Sequence, residues 1–364
     1  MAQTSVEQSE LLEELDIFDA ETHTGEKAQA LIEYIDDEQV QQQERDGYDY
    51  QPDLTGPFGA DGWDRSAGGK MEWSSGRQIE RAEEMDERRE ELHIDRTLFN
   101  AGMGFQAYAI PKKAKRIHYM RATNNYIQDR FGREDDTNYT SILVVPDHPE
   151  ESAAEIERYG DEDNVVAAFS NSFMDYGFGH ERYEPVMEAL DEYDLPLIFH
   201  GDSTNQPYFP AGFLRSNHFV EHHTLTHPMA HLRNIVHIIG QEIPERYDID
   251  FGFWEAGQSW IQMAMNRMDR EYIERIHDIP GLTKLPSEYM REFYYGTQPL
   301  EETHEPEHLQ RIIEDNGLED QLVFTSDWPH MDFDAPSSIL DHDGLTQEQK
   351  KKILQDNAQE LLDL

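Results

Sequence analysis

TSILVV (Thr140–Val145), PEESAAEIERY (Pro149–Tyr159), VVAAFS (Val165–Ser170), RYEPVMEALDEY (Arg182–Tyr193) and LIFH (Leu197–His200) follow one another in this 364-residue chain, and their alternation decides the fold. The first, third and fifth are short apolar runs of the kind that parallel strands show when helices cover both faces of their sheet. The second and fourth place apolar residues at helical spacing with acids on the other face. Such alternation marks βα units feeding a parallel sheet. Working outward, strands of the same kind are predicted at Ile17–His23, His93–Phe99, Asp250–Glu255, Phe293–Thr297 and Leu322–Ser326. Further helices are predicted at Glu305–Asn316 and at Thr346–Leu362, the latter opened by a Thr346 cap. Eight strands is the number that closes a barrel. The rival architecture, a doubly wound open sheet, normally carries a glycine-rich phosphate turn after its first strand, and Glu21–Gly25 offers only ETHTG. The expectation is an α/β chain folded as one (β/α)8 TIM-barrel domain over residues 1–364.

Two stretches exceed a minimal barrel. Residues 27–91, between the first two strands, hold an acidic Gln-rich run and then GPFGADGWDRSAGGKMEW. An insertion after a barrel strand lies on the face where barrel active sites are built. It reads either as a lid, with Trp63 and Trp73 over the mouth, or as a surface elaboration. Residues 204–237 gather three prolines with His218, His222, His223, His227, His231 and His237.

Charge narrows the partners. Asp and Glu number 76 against 30 Lys and Arg, a formal net charge of −46, which repels nucleic acid and anionic membranes. Five Trp, 17 Tyr and 17 Phe point to a packed core in place of an acidic disordered chain. Only nine of the basic residues are lysines, and the acids are spread along the chain. Dispersed acidity of this sort suits concentrated salt, so a halophilic cytoplasm is expected. No apolar stretch approaches the roughly 20 residues of a membrane span, and the start lacks the pattern of a secretory signal. The chain has no cysteine, so any metal is held by His, Asp, Glu or water.

Four strand ends carry metal-competent side chains. Asp19, Glu21 and His23 alternate on one face of the first strand. LIFHG delivers His200 at the end of an apolar run, and FGFWEAG (Phe251–Gly257) and VFTSDWPH (Val323–His330) deliver Glu255 and Asp327 in the same way. Burying such a carboxylate is costly without a cation or a donor. Accidents would scatter these residues over both ends of the barrel, whereas active sites use this one end. Arg121, Asn124 and Asn125 read as a helix surface first and as an anion contact second.

DAETH (Asp19–His23), LPLIFHG (Leu195–Gly201), the stretch from HTLTHP (His223–Pro228) through FWEAGQSWIQMAMNRMD (Phe253–Asp269), and FTSDWPHMDFD (Phe324–Asp334) resemble the amidohydrolase-2 branch of the amidohydrolase superfamily. That branch includes the aminocarboxymuconate semialdehyde decarboxylase-like enzymes. The resemblance runs from about Asp16 to the C-terminus and is thinnest over residues 27–91. It implies a distorted (β/α)8 barrel with one divalent ion, Zn²⁺ first and Mn²⁺ or Fe²⁺ as alternatives, held by Glu21, His23, His200 and Asp327. It also makes Asp327 the proton acceptor, with His330 holding Asp327 from behind and His227 facing the substrate. A homodimer is implied by resemblance alone. One departure stands out: the decarboxylase members end their sixth strand with a histidine, and this chain has Glu255. Glu255 is therefore expected to act as a ligand, as an acid–base group or as a group orienting substrate. The leading expectation is hydrolysis of an amide, lactone or similar carbonyl of a small molecule. The alternatives are non-oxidative decarboxylation of a small aromatic or unsaturated acid, and a non-catalytic binding barrel.

Overall fold

The computed structural model describes residues 15–26, 28–46, 79–110, 112–132, 136–201, 218–301, 305, 307–330 and 333–364. Among them, eight strands pair in sequence order in one sheet. They are β1 (Phe18–His23), β2 (Arg96–Asn100), β3 (Asn138–Val144), β4 (Val165–Asn171), β5 (Leu197–His200), β6 (Phe251–Trp254), β7 (Tyr294–Gly296) and β8 (Leu322–Val323). Every neighbouring pair is parallel, and β1 carries a register irregularity between Asp19 and Thr22. The ring closes nearly completely: Ala20 N donates to Phe324 O and His23 N to Trp328 O, joining the first strand to the chain just after β8. The expected (β/α)8 TIM barrel is the fold.

β1, β3, β4, β5 and β6 are buried along their whole length, which is why β4, β5 and β6 read as near-continuous apolar runs, while β1 buries the polar residues of the site. The helices are α1 (Ala28–Ile32), α2 (Glu38–Arg45), α3 (Ala82–Leu92), α4 (Lys113–Phe131), α5 (Pro149–Tyr159), α6 (Glu184–Tyr193), α7 (Phe219–Gly240), α8 (Ser259–Glu274), α9 (Pro286–Met290) and α10 (Glu307–Asn316). α5 and α6 each open with a proline in the first turn, where the missing N–H has no intrahelical partner to lose.

Two expected elements differ in detail. The predicted strand Leu322–Ser326 pairs with β7 only over Leu322–Val323, because Thr325 N bonds the Thr297 hydroxyl in place of a β7 carbonyl, while on the other edge Phe324 N bonds the carbonyl of Ile353. That carbonyl lies in a π-helical turn, Lys352–Asp356, which divides the predicted helix Thr346–Leu362 into Gln347–Lys351 and Asn357–Leu361. A wide turn leaves carbonyls free of the usual i→i+4 partner, and here one of them prolongs the barrel edge. Thr346 caps this helix as expected, in a reciprocal box with Gln349.

Of residues 27–91, the described parts form α1, α2 and α3. Ile79 pairs with Thr24 just beyond β1, at the C-terminal end of the first strand. Trp63 and Trp73 lie outside the described residues. Arg121, Asn124 and Asn125 belong to α4 and knit it to its surroundings. Asn124 bonds both backbone groups of Leu143, Asn125 donates to Tyr34 O, and Arg121 stands 3.6 Å from Glu155. They tie the helix ring together.

Candidate metal centre

Glu21, His23, His200 and Asp327 meet at the C-terminal end of the barrel, each buried and each offering a ligand atom within 4.8 Å of the others. The third expected member of the first strand, Asp19, stays out. Its carboxylate accepts from Ser326 N at 2.9 Å, Ser326 Oγ at 2.6 Å and Thr22 Oγ1 at 2.6 Å. Asp19 thus stitches β1 to the chain that carries Asp327, and burial pushes its carboxyl above the usual range. The register irregularity after Asp19 separates it from the face presenting Glu21 and His23.

The chemistry of this donor set fits a cation. His23 Nδ1 stands 2.9 Å from the carbonyl of Ala101, and His200 Nδ1 bonds the carbonyl of Gly201. A carbonyl only accepts, so both Nδ1 atoms carry the proton and both Nε2 atoms present lone pairs. Those Nε2 atoms face each other at 3.2 Å. Burial, chiefly, holds both imidazoles below the ordinary histidine pKa, so neither supplies a second proton. Carboxylates close the ring: Asp327 Oδ1 is 3.1 Å from His23 Nε2, and Glu21 Oε1 is 2.8 Å from His200 Nε2. Two imidazole lone pairs and two carboxylates converging in a buried space are what a divalent ion neutralises.

The walls explain how the set is held. His330 Nδ1 lies 2.5 Å from Asp327 Oδ1, and its ring packs on His23 with centroids 4.5 Å apart. Phe105, from the 3-10 turn after β2, and Phe169, from β4, pack on the His200 ring at 5.0 and 5.4 Å. Asp327 has φ 58° and Glu255 φ 60°, a left-handed backbone that non-glycine residues adopt at some cost and that clusters at functional sites.

Glu255 does not join the four. It stands behind His200, its Oε2 3.4 Å from His200 Nδ1, with His227 Nδ1 at 3.8 Å and His223 Nε2 at 3.9 Å. The remaining histidines divide. His231 is buried and structural: Nδ1 meets Ser172 Oγ at 2.8 Å, Nε2 meets the Trp254 carbonyl at 2.6 Å, and burial lowers its pKa to about 4. His218 caps α7, and His237 packs beside Gly177 and Gly179.

Three residues of the site escaped the sequence reading. Gln298, just past β7, directs Nε2 towards Asp327 Oδ2 at 3.4 Å, and its place after a strand end was a usable signal. Phe105 and Phe169 carried none, because an aromatic in a loop or strand is ordinary core material.

Fold and donor set together define the class: a barrel enzyme built on a divalent-metal centre. Residues 63–364 match the family described as Amidohydrolase, and the chain belongs to that family. None of the curated proteins gives a significant sequence match. Solved structures of the same fold include 5-carboxyvanillate decarboxylase LigW2 from Novosphingobium aromaticivorans DSM 12444, with manganese and 3-methoxy-4-hydroxy-5-nitrobenzoic acid. It is 18% identical over 96% of this chain and 97% of that one, with a TM-score of 0.70. An amidohydrolase from Mycobacterium avium subsp. paratuberculosis K-10 is 16% identical over 96% and 99%, with a TM-score of 0.72. Dihydroxybenzoic acid decarboxylase from Polaromonas sp. JS666, with manganese and 2-nitroresorcinol, is 17% identical over 96% and 97%, with a TM-score of 0.68.

Proposed function

We propose that this protein removes CO₂ from a small aromatic hydroxy acid, without net oxidation, at the centre formed by Glu21, His23, His200 and Asp327. The observation that carries this reading is the Asp327–His330 pair at 2.5 Å, a proton carrier with its own supply at the edge of the metal donors. Relatives named as decarboxylases of vanillate-type and dihydroxybenzoic acids share the fold across nearly the whole chain and support the same chemistry. The order of the sequence expectation, hydrolysis first, is thereby reversed.

A bound divalent ion would hold the oxygens of the anionic substrate and offset their charge. Manganese in two relatives favours Mn²⁺ alongside the Zn²⁺ expected from the sequence. Phe105 and Phe169 offer an apolar aromatic flank for a ring. Protonated Asp327 delivers its proton to the ring carbon that bears the carboxylate. The bond to the carboxylate then breaks, its electron pair returns to the ring, and CO₂ leaves. His330, partly exposed, returns a proton from solvent to Asp327. Hydrolysis keeps one point in its favour, family membership itself. In that reaction Asp327 would accept a proton from water.

The test is a panel of hydroxybenzoates and methoxy-hydroxybenzoates, set against amides and lactones, given to Mn²⁺-loaded and Zn²⁺-loaded protein. CO₂ release with loss of the carboxylate is expected. Turnover of an amide or lactone with no CO₂ from any acid would hand the site to hydrolysis.

A further inference from the structure

A second group of ligand-bearing side chains sits beside the first. His223, His227 and Glu255 each offer an atom within 4.8 Å of the others, and His227 and Glu255 are buried. The separations are informative. Glu255 Oε2 lies 3.8 Å from His227 Nδ1, and Oε1 lies 3.9 Å from His223 Nε2. Both exceed a hydrogen bond, for which about 3.2 Å is the upper end. Donors bound to one ion at about 2.0–2.2 Å stand roughly 2.8–3.6 Å apart at octahedral or tetrahedral angles, so these side chains need to close by only a few tenths of an ångström to share an ion.

The surrounding fold holds these three side chains to one place. His223 and His227 are one turn apart on α7, so they share a face, and their rings meet at 4.4 Å. One turn further on, His231 bonds the carbonyl of Trp254, which locks α7 to the end of β6, just before Glu255. Gly201 makes room for the helix: a Cβ there would stand 2.6 Å from His227 Cγ. Glu255 is held with φ 60°, in a conformation that aims its carboxylate back between α7 and His200.

We propose that Glu255, His223 and His227 bind a second divalent cation, with the His200 ring as the partition between the two sites. Charge supports it. Glu21, Asp327 and Glu255 gather three buried carboxyl groups, one more than the first site uses. The proposal concerns occupancy and stands whichever reaction the enzyme runs.

Protein stripped with a chelator is loaded with Zn²⁺ alone, passed through gel filtration to shed ions held loosely by surface acids, and its zinc per chain is measured. The wild type is expected to keep two ions. The His223→Gln/His227→Gln double variant is expected to keep one fewer. Glu255→Gln gives the same reading if the double variant does not fold, which circular dichroism of the metal-free protein decides. A wild type that keeps one ion, or variants that keep as many as the wild type, overturns the proposal and leaves a hydrogen-bonding cluster in place of a metal site. Failure to find CO₂ release does not touch this count, so the two readings fail separately.

Discussion

Asp327 is the residue on which the chemistry turns, because it touches three neighbours with different tasks. His23 shares its Oδ1, His330 approaches the same oxygen, and Gln298 reaches Oδ2. Asp327→Asn keeps the shape and removes both the anionic ligand and the proton carrier. Turnover is expected to fall by a factor on the order of 10² or more, the scale of a lost general acid–base group. A loss below tenfold in a metal-loaded decarboxylation assay would remove Asp327 from the proton path. Glu26, three residues beyond His23, makes a different prediction. Burial pushes its carboxyl from an ordinary 4.5 to about 7, against donations from Thr24 Oγ1 and Gly104 N. The folded state therefore binds this proton more tightly than the unfolded chain does. The group's stabilisation is complete below about pH 4.5 and is lost as pH rises through about 7. Thr24 Oγ1 also reaches Asn100 O at 3.1 Å, so it can accept from a protonated Glu26 and donate onward. Glu26→Gln reproduces that pattern without a titration. Its stability relative to the wild type should improve by about 3 kcal/mol between pH 4 and pH 8. Denaturant melts at the two pH values check this, and a difference that does not vary with pH would mean the carboxyl titrates normally.

At the scale of elements, the barrel positions its ligands through strand ends, and the junction of β5 with α7 is closely packed. A Cβ at Gly201 would meet His227 Cγ at 2.6 Å and Cβ at 2.9 Å, and His227 is buried. Gly201→Ala is therefore expected to cost about 1–3 kcal/mol, the usual range for overpacking, and to push α7 away from Glu255. Thermal unfolding measures the first effect; unchanged stability would show that the helix yields freely. Much of this layer was legible beforehand. Strands such as LIFH and VVAAFS announce themselves because burial on both faces demands unbroken apolar runs. Their last residues then fall at one end of the barrel by topology, which is why the strand-end candidates could be named together, while the choice of Glu21, His23, His200 and Asp327 among them came from the family resemblance. The rest depended on contacts across the fold. Asp19 alternates with Glu21 and His23 in sequence, yet a register irregularity and the hydroxyl of Ser326, far along the chain, claim its carboxylate. The π-helical turn has no local signature either, since it meets the barrel across the fold, where Ile353 O accepts from Phe324 N. Gln298 and His223 were visible as residues, but their neighbours were not.

The whole molecule carries a formal net charge of −46, far beyond what the site requires. Among the described residues no helix is long and apolar enough to cross a membrane. Two electrostatic effects of opposite sign compete among these charges. Exposed pairs such as Arg267 with Glu271, 2.7 Å apart on α8, attract, and salt weakens them. Each is worth about 0–1 kcal/mol at most. Against them stands mutual repulsion among the excess carboxylates, which have only nine lysines and otherwise arginine to answer them. Raising salt from about 0.1 M to 1 M shortens the screening length from roughly 10 Å to 3 Å, which removes repulsion between neighbours at typical surface spacing. Repulsion is the larger sum in a chain this unbalanced, so added salt should stabilise the fold. The melting temperature is expected to climb as KCl rises from 0.1 M to 2 M, with most of the gain below 1 M, where screening changes fastest. Chloride is the right anion, because sulfate would also strengthen apolar burial and blur the cause. A melting temperature that stays level or falls across that range would mean the acids are not an adaptation to concentrated salt, and the expectation of a halophilic setting would go with them.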